Sequence, residues 1–233
     1  MNAVMALIVV ACAQETAEAT FKKIEAAYAK AKTVKVTFKG SATMTQGEKT
    51  VTTLECSGTL LLKGDNKVKC TTSTKSDKNR EKATFSLFAC DGTTMAPLHG
   101  ETQEAPGGLR AGATATLFRL GGQFAMERMS AAYYSKGKDK TPWDGTLSNF
   151  AAGEKDGELA TLTYDLVADG STHKVKLSYD ASTMKVGKIS VTLTPTDKTS
   201  QGKAGKGIVI VETMTCEFDG EIADEEFAPP KGK

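Results

Sequence analysis

The spacing of hydrophobic positions changes several times along this chain, and each change predicts a new element. Within residues 16–32 the apolar side chains recur every three or four positions, which is the period of an amphipathic helix: Ala17, Phe21, Ile24, Tyr28 and Ala31. Thr16 or Thr20 is the expected N-cap, because a threonine hydroxyl accepts a hydrogen bond from a free amide of the first helical turn.

Residues 33–45 instead alternate between apolar and polar side chains, with Val34, Val36 and Phe38 on one face. This alternation predicts a strand with one buried and one wet face. The same pattern predicts strands over residues 49–63, 67–74 and 81–90, and a short strand around Thr94 and Met95. In the strand predicted over residues 81–90, one apolar face is expected to comprise Ala83, Phe85, Leu87 and Ala89.

The second half of the chain repeats the change from helix to strands. A loop is predicted over residues 99–111, followed by a helix over residues 113–134. Gly121 and Gly122 are expected to break this helix in two, since glycine is a poor helix former. The later alternation predicts strands over residues 143–152, 158–168, 172–180, 185–194 and 207–219.

The order of these elements predicts the fold class. Nine to eleven strands with two helices, arranged as meander, helix and meander, do not alternate as parallel α/β units do. We therefore predict a mainly β (α+β) protein. Its strongly curved antiparallel sheet forms an open or half β-barrel, and the helices bury their apolar stripes on the concave face.

The first residues have the pattern of an export signal. The apolar run 3–10 is too short to span a bilayer, and it is followed by Ala11-Cys12-Ala13, which fits a small-residue cleavage site. The prediction is a signal peptide over residues 1–13 and a single domain over residues 14–233, with a periplasmic or secreted location. Alternatively, residues 9–12 resemble a lipobox, which would leave Cys12 lipidated and anchor the protein to a membrane.

Composition and charge narrow the classes of partner. The chain has 233 residues, 39% of them hydrophobic and 25% charged, which is typical of a globular protein. Thirty basic and 28 acidic residues leave a net charge of +2, so no nucleic-acid partner is expected. We expect a monomer. The cysteines of the predicted mature chain fit no paired metal-binding spacing, and both buried thiols and disulfides stay open for Cys56, Cys70, Cys90 and Cys216.

The sequence contains few residues or motifs that are typical of an enzyme active site. His99 and His173 are its two histidines and lie far apart along the chain. No nucleophile elbow, phosphate-binding loop, dinucleotide fingerprint or zinc-protease motif is present. The acidic run 224–226 is consecutive and is expected to be solvated. We therefore predict a protein that is not an enzyme and has no metal or cofactor.

The apolar faces of the helices and the sheet remain as a candidate ligand site. Aromatic residues make up 6% of the chain, and many inward positions are Gly, Ala, Thr or Cys, so a curved sheet would be thinly filled. The alternative is an ordinary hydrophobic core. The predicted ligand-binding cavity comprises Val36, Phe38, Met44, Leu54, Leu60, Leu62, Phe85, Leu87, Leu117, Phe118, Phe124, Met129 and Tyr133.

Several segments, taken in order, resemble a known family. They include residues 57–63 (SGTLLLK), residues 90–95 (CDGTTM) and the ending 227–232 (FAPPKG). In this order they are similar to the periplasmic lipoprotein carriers, the LolA/LolB-like proteins. The carriers usually have Arg-Pro after the second strand, where this chain has Gly64-Asp65-Asn66, and Arg80 is the candidate by region for the arginine that latches their helices.

The resemblance implies an open barrel whose concave face holds acyl chains beneath helices. It implies an exported lipid- or lipoprotein-binding carrier, with lipid or lipoprotein acyl chains as partners. An acyl chain needs only a dry groove, because each buried CH₂ contributes about 0.8 kcal/mol without polar contacts. The alternative on the same scaffold is an envelope sensor or interaction module, with an envelope protein as partner and no lipid transport.

Overall fold

The computed structural model describes residues 15–46, 49–77, 83–97, 101–134, 145–168, 171–193 and 206–229. The predicted signal peptide, Cys12, Arg80 and His99 lie outside the described residues. The helices are α1 (Ala17–Lys30) and α2 (Leu109–Tyr134), and a 3₁₀ helix follows at Asp224–Phe227. The strands are β1 (Thr33–Gln46), β2 (Lys49–Lys63), β3 (Lys67–Ser76), β4 (Ala83–Asp91), β5 (Thr94–Pro97), β6 (Gln103–Glu104), β7 (Thr146–Asp156), β8 (Leu159–Ala168), β9 (Ser171–Tyr179), β10 (Val186–Leu193) and β11 (Lys206–Phe218).

The strands form one antiparallel sheet that is not closed. Their order is β6-β5-β4-β3-β2-β1-β11-β10-β9-β8-β7, so each half of the sheet is a meander. The two meanders meet where β1 pairs with β11, from Val34 opposite Phe218 to Gln46 opposite Lys206. The predicted fold class, an open antiparallel sheet with two helices, is confirmed.

The described apolar residues of both helices are buried in the core that they form with the sheet. The Thr16 hydroxyl accepts a hydrogen bond from the Ala19 amide, which confirms Thr16 as the N-cap of α1. Tyr28 of α1 is fully buried and meets Phe118 of α2 and Phe218 of β11 edge to face, with ring centroids 4.9 and 4.8 Å apart. Aromatic edge contacts of this kind favour one fixed packing of helix on sheet.

The predicted alternation of β4 is interrupted. The β3–β4 register shifts between Cys70 and Thr71, and beyond the shift Phe88 pairs with Cys70 and Cys90 with Val68. Phe88 and Cys90 therefore continue the face of Val68 and Cys70, whereas the prediction placed Ala89 there. An extra residue in one strand reverses the phase of the following side chains.

Helix α2 begins earlier than the pattern indicated. The predicted loop 99–111 contains the short strand β6, which pairs with β5, and the first turn of α2 from Leu109. The Leu109 amide donates to the Asn66 side-chain oxygen at 3.2 Å, and the Arg110 amide donates to the Asp65 carbonyl at 3.0 Å. The β2–β3 turn therefore supplies acceptors for amides that the helix itself leaves free.

The acidic run 224–226 is exposed to solvent, as expected, and two of its carboxylates also pair with lysines of the sheet. The Asp224 carboxylate lies 2.7 Å from the ammonium groups of both Lys63 and Lys67, and Glu226 lies 3.9 Å from Lys69. Phe227 ends the 3₁₀ helix and is fully buried. The segment Asp224–Phe227, called the C-terminal clasp below, therefore joins the end of the chain to the sheet.

The clasp predicts an unusual acid titration. Hydrogen bonds from Lys63 and Lys67 lower the pKa of Asp224 to about 2. Because this pKa is depressed, the contact is fully present above pH 4 and is lost as the pH falls through about 2. In a carbon NMR titration of the carboxyl, Lys67→Met is expected to raise the pKa toward 3.8. Lys69→Met is the matched control, and an unchanged Asp224 pKa in Lys67→Met would contradict the assignment.

All four cysteines within the described ranges are free and buried thiols. The structure therefore selects buried thiols over disulfides for Cys56, Cys70, Cys90 and Cys216. The Cys216 sulfur forms a 2.9 Å hydrogen bond with the Tyr28 hydroxyl and donates to the Val186 carbonyl at 3.2 Å. Burial raises the pKa of the Cys216 thiol, which keeps this sulfur protonated.

Candidate functional site

The inner face of the sheet is divided into two parts along β1. The first part, called the packed half, surrounds Val36 and Phe38, where the helices cover the sheet. The inner residues and helix residues of this part are at most 1% exposed: Val36, Phe38, Leu60, Leu62, Leu117 and Phe118. These six predicted cavity residues belong to one continuous cluster of buried side chains.

Phe38 fills the space left by two glycines. Its cross-strand neighbour is Gly58, and Gly122 of α2 lies against the same ring. A Cβ added to either glycine would lie 2.5 Å from a ring atom of Phe38, well inside normal contact. The absent side chains thus let the helix and the neighbouring strand approach the ring closely.

The second part of the inner face, called the groove, lies further along the central strands. Register places its residues next to one another: Ala42 pairs with Leu54 and Ile210, and Ile208 pairs with Met44 and Leu193. Ala42, Val191 and Ile210 are fully buried. Beside them lie four half-buried apolar side chains, Met44, Leu54, Leu193 and Ile208, and the polar Thr52 pairs with Met44. The inner face therefore changes from closed to partly open and remains mainly apolar there.

A buried carboxylate marks the boundary between the packed half and the groove. Glu212 of β11 is 0% exposed and points inward opposite Gly40, which offers no competing side chain. The Gly122 amide donates to Glu212 Oε2 at 2.5 Å, and the Cys56 thiol donates to Oε1 at 3.6 Å. Gly121 has φ +80° and ψ −174°, so the predicted break in α2 is confirmed at this point.

Arg110 ties both helices to the β2–β3 turn. Its guanidinium donates to the carbonyls of Tyr28 at 2.7 Å and of Ala31, which lie at the end of α1. It also donates to the Gly64 carbonyl at 3.2 Å and the Lys32 carbonyl at 3.5 Å. Burial lowers the pKa of Arg110, but a guanidinium remains charged at neutral pH. One side chain thus satisfies carbonyls that a helix end leaves without partners.

The remaining predicted cavity residues have different placements. Met44 and Leu54 line the groove and are half-buried. The side chains of Phe85, Leu87, Phe124, Met129 and Tyr133 lie outside the described residues, although the backbone of each belongs to β4 or α2.

Sequence reasoning missed Arg110 and Glu212. Glu212 carried a readable signal, because it is an acid at an inward position of a strand whose other inward residues are apolar: Ile208, Ile210, Met214 and Cys216. Arg110 carried none. It lies in the predicted loop 99–111, where a basic residue is expected at the surface.

Other features of the described chain limit the chemistry of the site. In the part of the chain that the structure describes, no group of three or more His, Cys, Asp or Glu side chains is arranged to hold a metal ion. Of the described helices, none combines the length and apolar character needed to cross a membrane.

A separate opening of about 550 Å³ lies between α1 and the first turns of α2, with Glu25, Ala29, Arg110 and Ala115 among its lining residues.

Comparison with known proteins gives similarity at the level of solved structures. No protein-family model and no curated protein matches this chain. A LolA superfamily protein from Nitrosomonas europaea is 11% identical over 93% of this chain and 99% of that chain, with a TM-score of 0.30. LprF from Mycobacterium bovis is 12% identical over 93% of this chain and 97% of its own, with a TM-score of 0.37.

A further similar structure is a putative outer membrane lipoprotein-sorting protein domain from Vibrio parahaemolyticus. It is 10% identical over 91% of this chain and 95% of that chain, with a TM-score of 0.30. The resemblance to LolA-like proteins thus recurs among solved structures as a loose match over nearly the whole chain.

Proposed function

We propose that this protein is an exported, non-enzymatic carrier that shelters the acyl chains of lipids or lipoproteins in the groove. The proposal includes a signal peptide over residues 1–13, a single domain over residues 14–233 and a periplasmic or secreted location as a monomer. The observation that carries it is the group of half-buried apolar residues toward the end of the inner face, Met44, Leu54, Leu193 and Ile208.

The chemistry of this group suits an acyl chain. Apolar surface left partly open to water on the concave side of a sheet gains free energy when a hydrocarbon covers it, at about 25 cal/mol per Å². The neighbouring row, Ala42, Val191 and Ile210, offers further apolar surface deeper in the groove. In this proposal the predicted cavity residues of the packed half form the wall at its inner end.

Two adjacent residues of β11 allow a matched test. Ile208 faces the groove, whereas Val209 faces the opposite side of the sheet and is 38% exposed. In displacement of a dansyl-labelled fatty acid by palmitate, Ile208→Glu is expected to weaken binding at least about tenfold, because it places a charge among apolar side chains. Val209→Glu introduces the same charge outside the groove and is expected to bind as the wild type does.

The outcomes separate the two functions that the scaffold suggests. Circular dichroism on both variants checks that each retains the fold. A wild type that binds no fatty acid would contradict the carrier and favour the envelope sensor or interaction module. Equal weakening by Ile208→Glu and Val209→Glu would place the ligand elsewhere on the protein.

A further inference from the structure

Glu212 lies where α2 departs from helical geometry, and its role goes beyond filling the core. We propose that Glu212 is a positioning residue: its carboxylate holds the first amide of helical segment 122–134 and thereby fixes the start of this segment at the boundary of the groove. The inference deepens the proposed function and rests on it for the effect of this segment on a bound ligand.

The part of α2 before the break is fixed independently of Glu212. Leu109, Ala113, Leu117 and Phe118 are fully buried. Arg110 joins the start of α2 to α1, and the Tyr164 hydroxyl donates to the Phe118 carbonyl. Residues 109–120 are therefore held at both ends by contacts with α1 and the sheet.

Because α2 breaks at Gly121, the backbone amide that follows needs a hydrogen-bond acceptor outside the helix. With φ of +80° at Gly121, the regular helix stops, and the first amides of the following segment lack carbonyl partners within the helix. The Gly122 amide finds its acceptor in Glu212 Oε2 at 2.5 Å. A carboxylate is suited to this place, because the N-terminus of a helix carries partial positive charge.

The surroundings are shaped for this contact. A Cβ on Gly121 would lie 2.6 Å from Glu212 Oε2, and a Cβ on Gly40 would lie 2.8 Å from the Glu212 Cγ. Both neighbours of the carboxylate are therefore restricted to glycine. The thiol of Cys56 holds the second carboxylate oxygen from the side of the sheet. The carboxylate thus connects β2, β11 and the start of segment 122–134.

Two variants of Glu212 test the role. Glu212→Gln keeps the size and an oxygen acceptor for the Gly122 amide, whereas Glu212→Ala removes both. Hydrogen–deuterium exchange followed by mass spectrometry is compared for peptides of residues 109–120 and 122–134. Glu212→Ala is expected to accelerate exchange in 122–134 by about tenfold or more while 109–120 keeps its wild-type rates, and Glu212→Gln is expected to remain within about threefold.

A second readout connects the position of the segment to the ligand. The dissociation rate of the dansyl-labelled fatty acid is expected to rise in Glu212→Ala and to stay near the wild-type rate in Glu212→Gln. Unchanged exchange in 122–134, or equal acceleration in both segments, would overturn the inference, because Glu212 would then be an ordinary core residue. A wild type without fatty-acid binding would overturn the proposed function, whereas the exchange pattern decides the positioning role separately.

Discussion

Arg110→Ala is expected to lower the free energy of unfolding by about 4 kcal/mol. The guanidinium donates to the carbonyls of Tyr28, Ala31 and Gly64, and to that of Lys32 at longer range. Its removal leaves buried carbonyls at the end of α1 without donors. Each unsatisfied buried acceptor costs about 1–3 kcal/mol. Urea unfolding followed by circular dichroism measures the change.

Two comparisons show whether the geometry of Arg110 matters beyond its charge. Arg110→Lys keeps the charge but lacks the planar fork of donors, so it is expected to recover less than half of the loss. Lys30→Ala removes an exposed basic residue from the last turn of α1 and is expected to cost less than about 0.5 kcal/mol. If Arg110→Ala were as mild as Lys30→Ala, Arg110 would not join the two helices energetically.

The second large effect is expected at Gly122, where the same substitution destabilises the wild type but stabilises a variant that lacks the Phe38 ring. In the wild type, Gly122→Ala is expected to destabilise by about 1–3 kcal/mol, because the three atoms nearest to the new Cβ all belong to the Phe38 ring. Phe38→Ala alone is expected to cost about 3–5 kcal/mol through the cavity it leaves. Within the Phe38→Ala background, Gly122→Ala is expected to stabilise by up to about 1 kcal/mol, since the clash is absent and alanine favours a helix.

Gly58 provides the matched control for this double-mutant cycle. A Cβ on Gly58 would meet the backbone carbonyl of Thr71 at 2.4 Å as well as the Phe38 ring. Gly58→Ala is therefore expected to destabilise in both backgrounds. Unfolding free energies from urea titration of the single and double variants give the coupling energy. Additive effects of Phe38→Ala and Gly122→Ala would show that the ring and the helix are not in close contact.

Most helices and strands were predictable because the spacing of apolar residues along the chain differs between the two kinds of element. The alternation over residues 33–45 reflects one wet and one buried face, and β1 has that face. Gly121 and Gly122 signalled the break in α2 because glycine disfavours a helix interior. The shift in β4 had no such signal. Each apolar side chain of residues 83–89 suits either face, and only the pairing with β3 at Cys70 determines the phase.

The site was harder to predict because its parts are distant in sequence. The Glu212 carboxylate meets an amide 90 residues away and a thiol 156 residues away. An inward acid in β11 indicates a buried polar contact, but no spacing rule identifies its partner. The apolar residues of the groove were partly predicted, as Met44 and Leu54, since alternation gives their face. Leu193 and Ile208 join them only through the register of β10 and β11.

The pairing of β1 with β11 also has a consequence for biosynthesis. Among the described strands the first and the last in sequence lie side by side, with Val34 opposite Phe218, so the middle of the sheet joins segments that are far apart in the sequence. Each meander can form hairpins from neighbouring segments, but the junction must wait until the ribosome has released β11. A nascent chain of this design therefore stays incompletely folded until β11 has been synthesised and has left the ribosome.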